Sequence, residues 1–153
     1  MKRIEVKLAL PIVAPLLDVI KELADGLKKQ LAVPPLTSDL DPDMRDAWVG
    51  ELLSAQNDDV ATLLSLFNDE FFTEGVVAFD EDNAETVVRA CAAIRLFLRE
   101  RWLKPLGDET LESGDVEVAT LDEPLRKAFM CYLFLATVQE LIIQHLDASI
   151  LES

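Results

Sequence analysis

Residues 125–146, LRKAFMCYLFLATVQELIIQHL, decide the fold of this chain. Asp122 and Pro124 stand just before them, an N-cap carboxylate and a first-turn proline, so a helix starts here and reaches about residue 147. At about 100° per residue, Leu125, Tyr132, Ala136, Gln139, Ile143 and Leu146 share one face, while Met130, Phe134 and Leu141 lie nearly opposite. A helix apolar all round belongs at the centre of its domain or between subunits. The expected architecture is therefore built around a central buried C-terminal helix, with a homodimer as the other setting for that surface.

Working outward, residues 83–104 form a second long helix, capped by the DEDN segment and ended by Pro105 and Gly107. Its apolar seam is Val87, Cys91, Ile94, Leu98 and Trp102. Leu16, Ile20, Leu23, Leu27 and Leu31 recur at spacings of three and four, giving a helix over 12–31 that VPPLTS ends. DLDPD starts a helix over 42–55 with Ala47, Trp48 and Leu52 inward, and a shorter helix over 58–68 uses Val60, Leu63, Leu64 and Phe67. Residues 2–10 alternate apolar Ile4, Val6, Leu8 and Leu10 with charged Arg3, Glu5 and Lys7, the period of a strand. Further short strands are expected at 75–79 and 115–118. The predicted fold is thus mostly α, a single domain over 1–153 with about five helices and minor β structure.

A hydrophobic fraction of 50% in 153 residues is enough for a core without metal or disulfide staples. The formal net charge of −15 argues against binding nucleic acid or anionic lipid, both of which require a positive surface. Cys91 and Cys131 fall inside apolar helical stretches and read as reduced, buried thiols, which points to the cytoplasm. The longest apolar run, 128–138, is shorter than the ~20 residues of a membrane span. Glu5, Lys7, Pro11 and Pro15 interrupt the N-terminal apolar run and argue against a secretory signal.

Catalytic and metal chemistry find few candidates. His145 is the single histidine, so neither paired Glu-x-x-His ligands nor a two-histidine zinc helix can be built. No serine sits in a Gly-x-Ser-x-Gly elbow, and the five glycines are too far apart for a phosphate-binding loop. The acidic groups Asp39, Asp41, Asp43, Asp46 and Asp80, Glu81, Asp82, Glu85 lack the glycine of a calcium loop. Both precede helices, where carboxylates cap free N–H groups. No metal and no cofactor is expected.

The charge distribution singles out one segment. Residues 86–107 carry five cations and one anion, between 31–85 with one cation and fourteen anions and 108–123 with seven anions and no cation. The cations of this helix are expected to neutralise carboxylates of the same chain or of a neighbouring subunit. Arg95 differs from Arg89, Arg99 and Arg101 because it projects between Trp102 and Val88 at the seam, where a lone guanidinium is costly. Gln139, in the seam of the last helix, poses a milder version of the same problem. Arg95 is therefore expected in a buried polar network with a carboxylate, Glu140 being one candidate, and with Gln139; the alternative is a pocket for an anionic small molecule at Arg95. Cys91 and Cys131 are expected to be inert core thiols, with nearby Arg95 the one hint of redox activity.

With the helices placed, Tyr132, Leu135, Gln139, Glu140 and Leu141, preceded by AAIRLFLRERWLKPLG and DPDMRDAW, resemble an uncharacterised bacterial domain family that includes the actinobacterial oxidative-stress regulator AosR. The likeness covers roughly residues 40–145. It implies a small helical cytoplasmic regulator acting through protein contacts, such as with a sigma factor. The close Cys-x-x-x-Cys pair behind that regulator's redox switch does not occur here, so thiol switching is not implied. The expectation is a non-enzymatic interaction or regulatory protein with a protein partner or a second copy of itself; the alternative is a binder of an anionic ligand, or an enzyme, at Arg95.

Overall fold

The computed structural model describes residues 3–32, 41–113 and 120–146. In chain order these form β1 (Arg3–Lys7), α1 (Leu10–Leu27), α2 (Pro42–Ser65), α3 (Asp69–Glu74), β2 (Val76–Asp80), α4 (Ala84–Arg101), a single 3-10 turn (Lys104–Leu106), α5 (Asp108–Ser113) and α6 (Glu123–His145). The fold is mostly α, with one small two-stranded antiparallel sheet in which Ile4 faces Phe79 and Val6 faces Val77. The expected strand at 115–118 lies outside the described residues.

The N-terminal alternation makes β1 because Ile4 and Val6 turn towards the core while Arg3, Glu5 and Lys7 stay in solvent. The strand is shorter than 2–10: α1 already begins at Leu10, with Pro11 in its first turn, where a missing N–H costs nothing. Gly75 ends α3 in the left-handed region, φ 74°, and its carbonyl accepts the Leu8 N–H at 2.7 Å. One glycine thus joins a helix end to the sheet.

α2 is one helix where two were expected. The intervening Gln56-Asn57-Asp58-Asp59 is polar but holds no proline or glycine, so nothing stops the hydrogen-bond ladder. Its polar side chains serve α1 instead. Gln56 Nε2 donates to the Leu27 and Gln30 carbonyls at 3.2 and 3.0 Å, and Asn57 Nδ2 donates to the Lys28 carbonyl at 3.2 Å. These carbonyls lie at or just beyond the end of α1, where the helical ladder runs out; only that of Leu27 also accepts a backbone N–H, from Gln30 at 3.3 Å, among the bonds of the described residues. The first turns of α2 stand away from the core, so Ala47 and Trp48 point outward, with Trp48 41% exposed, against the expected inward placement.

The core is one contiguous cluster drawn from all four long helices, α3 and the sheet. α6 packs chiefly on α4 and α1, burying Phe129, Cys131, Leu135, Val138 and Ile142. It is the core helix of the fold, but its buried surface is a broad stripe and not the full circumference. Ile143 is 50% exposed, and Thr137, Glu140 and Gln144 face solvent. By length and composition α6 is also apolar enough to cross a membrane, which the run 128–138 understates; in this structure that apolarity is spent against α1 and α4.

The two kinds of glycine site predict opposite outcomes. Gly75→Ala forces a Cβ into a positive-φ residue, 3.0 Å from the Leu8 carbonyl oxygen, and should cost more than ~1 kcal/mol. Gly50→Ala, in an open stretch of α2 with nothing within 4 Å, should stabilise by ~0.5–1 kcal/mol. Urea unfolding followed by circular dichroism reads both.

Candidate functional site

α4 and α6 run antiparallel, which sets Val88 beside Gln139 and Arg95 beside Tyr132. Of the network expected around Arg95, a carboxylate with Gln139, the Gln139 link is present, between two half-buried residues. Arg95 Nη1 donates to Gln139 Oε1 at 2.6 Å, and Gln139 Nε2 donates to the Val88 carbonyl at 3.0 Å. The guanidinium lies 4.4 Å from the centroid of the Tyr132 ring, an attractive cation–π geometry. Its Nε is buried without a hydrogen-bond partner.

Glu140 is not part of this network. One residue beyond Gln139, it is turned about 100° further round the helix, lies in solvent, and accepts from Gln144 Nε2 at 3.1 Å. Among the described residues no carboxylate forms an ion pair with Arg95. The guanidinium is held instead by a neutral amide and an aromatic face, with no anion among those residues to compensate its charge.

Of the other cations of α4, Arg89 neutralises carboxylates as expected, whereas Arg101 engages a neutral amide and a ring. Arg89 binds both Asp59 oxygens, from Nε at 3.1 Å and from Nη2 at 3.0 Å, and also reaches Glu85 at 2.8 Å. The Asp59 hydrogen bond raises the pKa of Arg89 above its ordinary value. This bidentate pair ties α4 to α2. Arg101 donates to Gln30 Oε1 and lies over Phe97, 5.3 Å from the ring centroid.

Trp102 is separate from Arg95. It is the C-cap of α4, 47% exposed, so the apolar seam ends at Leu98 and the indole turns elsewhere. Together with α1 and the start of α6 it borders a groove of about 710 Å³. Val19, Leu23, Phe97 and Leu98 make the apolar floor; Asp18 and Glu22 stand on the α1 side, and Arg101 and Lys127 on the opposite side. No sequence motif announces this groove, because its walls come from three helices far apart in the chain.

Both thiols are buried and free. Burial pushes each up to about 12, and for Cys91 the nearby Arg95 charge only partly opposes this. Cys131 Sγ donates to the Leu16 carbonyl at 3.6 Å. At neutral pH neither supplies thiolate, the species that reacts. Among the described residues no group of three His, Cys, Asp or Glu side chains gathers as a metal site. Asp41 and Asp122 instead cap helices, accepting from Met44 N at 2.9 Å and Leu125 N at 3.1 Å. Asp80 Oδ1 accepts from Asp82 N and Asn83 N, closing the turn between β2 and α4.

The model of a family described as a domain of unknown function, DUF2017, matches residues 29–146. The chain belongs to the DUF2017 family. No curated protein and no solved structure matches it. The DUF2017 span contains α2, α4 and α6, and with them the whole Arg95 network. It excludes β1 and α1, so Asp18 and Glu22 are added to the groove from outside the DUF2017 match.

Removing the Arg95 charge tests whether the network holds α4 to α6. Arg95→Met strands the Gln139 Oε1 and should cost ~1–2 kcal/mol. The double variant Arg95→Met with Gln139→Leu should recover most of that loss, because replacing both partners by apolar groups is nearly neutral. Urea unfolding of both single variants and the double variant completes the cycle; additive losses would mean that the pair is not coupled.

Proposed function

We propose that this DUF2017 protein is a non-enzymatic, cytoplasmic interaction module of the regulatory kind, the role implied by its likeness to the family that includes AosR. The groove at the end of α4 carries the reading: an apolar floor open to solvent, with a large aromatic side chain at its edge. Tryptophan is enriched among the few residues that carry most of the binding energy in protein interfaces. The inert thiols support contact-based regulation in place of a thiol switch.

A second reading rests on Arg95. Its unpartnered Nε and uncompensated charge suit an anion, a carboxylate or phosphate, docking between α4 and α6. The groove is favoured because it offers volume, whereas the Arg95 guanidinium is already held by Gln139 and Tyr132.

A photo-crosslinking amino acid placed at position 102, and separately at position 48, distinguishes a specific contact from general stickiness. Both positions carry an exposed tryptophan. Irradiation of cells should give a discrete adduct from position 102, with another protein or with a second copy, and none of that mass from position 48. The same adducts from both positions, or none from 102, would contradict the reading.

A further inference from the structure

The groove has a polarity that specifies its occupant more closely. Among the described residues Asp18 and Glu22, one helical turn apart on α1, have no ion-pair partner. On α4 and α6, Lys127 pairs with Glu123 at 3.1 Å, while Arg101 donates to the neutral amide of Gln30 and keeps its charge. Among the described residues the groove therefore carries unmatched negative charge along α1, at Asp18 and Glu22, and an unmatched positive charge at Arg101 on α4. The protein's overall charge of −15 adds a long-range field that draws cationic partners in.

The floor made by Val19, Leu23, Phe97 and Leu98 is apolar. The charged residues lining the groove, Asp18, Glu22, Arg101 and Lys127, are all exposed, so none of them converges at depth. Small-molecule sites rely on a few such groups to fix a ligand's orientation. Here discrimination has to come from charges along the rims, which suits an extended macromolecular segment. A whole helix, ~10–12 Å across, does not fit within about 710 Å³, but the apolar ridge of one does.

Resting on the interaction reading, we infer that the groove takes an amphipathic helix of a partner protein, with its apolar ridge on the floor against Phe97 and Trp102. Its basic edge lies along Asp18 and Glu22, and its opposite edge, beside Lys127 and Arg101, is acidic or neutral. This arrangement of an apolar stripe between edges of unlike charge also sets the direction of the helix, as flanking charges do in helix pairing.

The probe is a displayed library of 18-residue helices with a fixed leucine ridge and both edges randomised among Lys, Glu and Ser, selected on the full-length chain. Selected peptides should carry Lys on one edge and not on the other. Their Kd should rise at least tenfold for Asp18→Lys with Glu22→Lys and for Trp102→Ala, each variant keeping its helical circular dichroism. Peptides that depend on Trp102 but ignore the charge reversal would overturn the basic-edge inference and leave the interaction reading standing. No enrichment over the unselected library, or enrichment independent of Trp102, would overturn the inference at this groove; the crosslink from position 102 then decides the interaction reading on its own.

Discussion

The packing of α6 against α4 is the constraint on which the other features depend. α6 supplies fully buried Phe129, Cys131 and Ile142, and α4 supplies Val87, Cys91, Ile94 and Leu98, so the two stripes close over each other and over α1. Apolar area drives this contact but does not by itself fix how the helices slide along each other. The link from Arg95 to Gln139 and from Gln139 to the Val88 carbonyl adds a register. With that register set, the end of α4 stands beside the start of α6, and the groove bordered by Trp102 and Lys127 follows.

Charge plays two separate parts. Within the fold, Arg89 bridges α4 to Asp59 of α2, and other cations offset local acids, which lowers self-repulsion in a chain of formal charge −15. Such partly exposed pairs contribute little stability each, ~0–1 kcal/mol. At the surface the remaining carboxylates are uneven, and the groove edge formed by Asp18 and Glu22 is one place where they meet apolar surface without a cation to match. The DUF2017 span, residues 29–146, does not include that edge.

What was legible in the sequence followed from periodicity and caps. The alternation of Ile4 and Val6 gave a strand, the Asp-Pro starts at Asp41 and Asp122 gave true N-caps, and a polar pair facing across two apolar seams gave Arg95 with Gln139. The misreadings share a cause. Gln56 and Asn57 looked like a break because they are polar, yet their partners are the α1 carbonyls, which only the tertiary fold brings near. Trp48 is large and apolar, as core residues are, but among the described residues nothing buries the start of α2. Glu140 is adjacent to Gln139 in sequence, but one residue step turns it towards solvent and away from Arg95. The groove left no local signal, since an aromatic at the end of one helix and two acids on another gain meaning only when the helices meet.

Native-state hydrogen exchange tests the dependence on the α4–α6 contact most directly. If that contact organises the fold, the central amides of α4 and α6 exchange last and together, with the free energy of global unfolding. The start of α2, which stands off the core, exchanges much earlier. If α6 instead exchanged through a low-energy opening while α1 and α2 stayed protected, α6 would be a docked appendage and the account would be wrong.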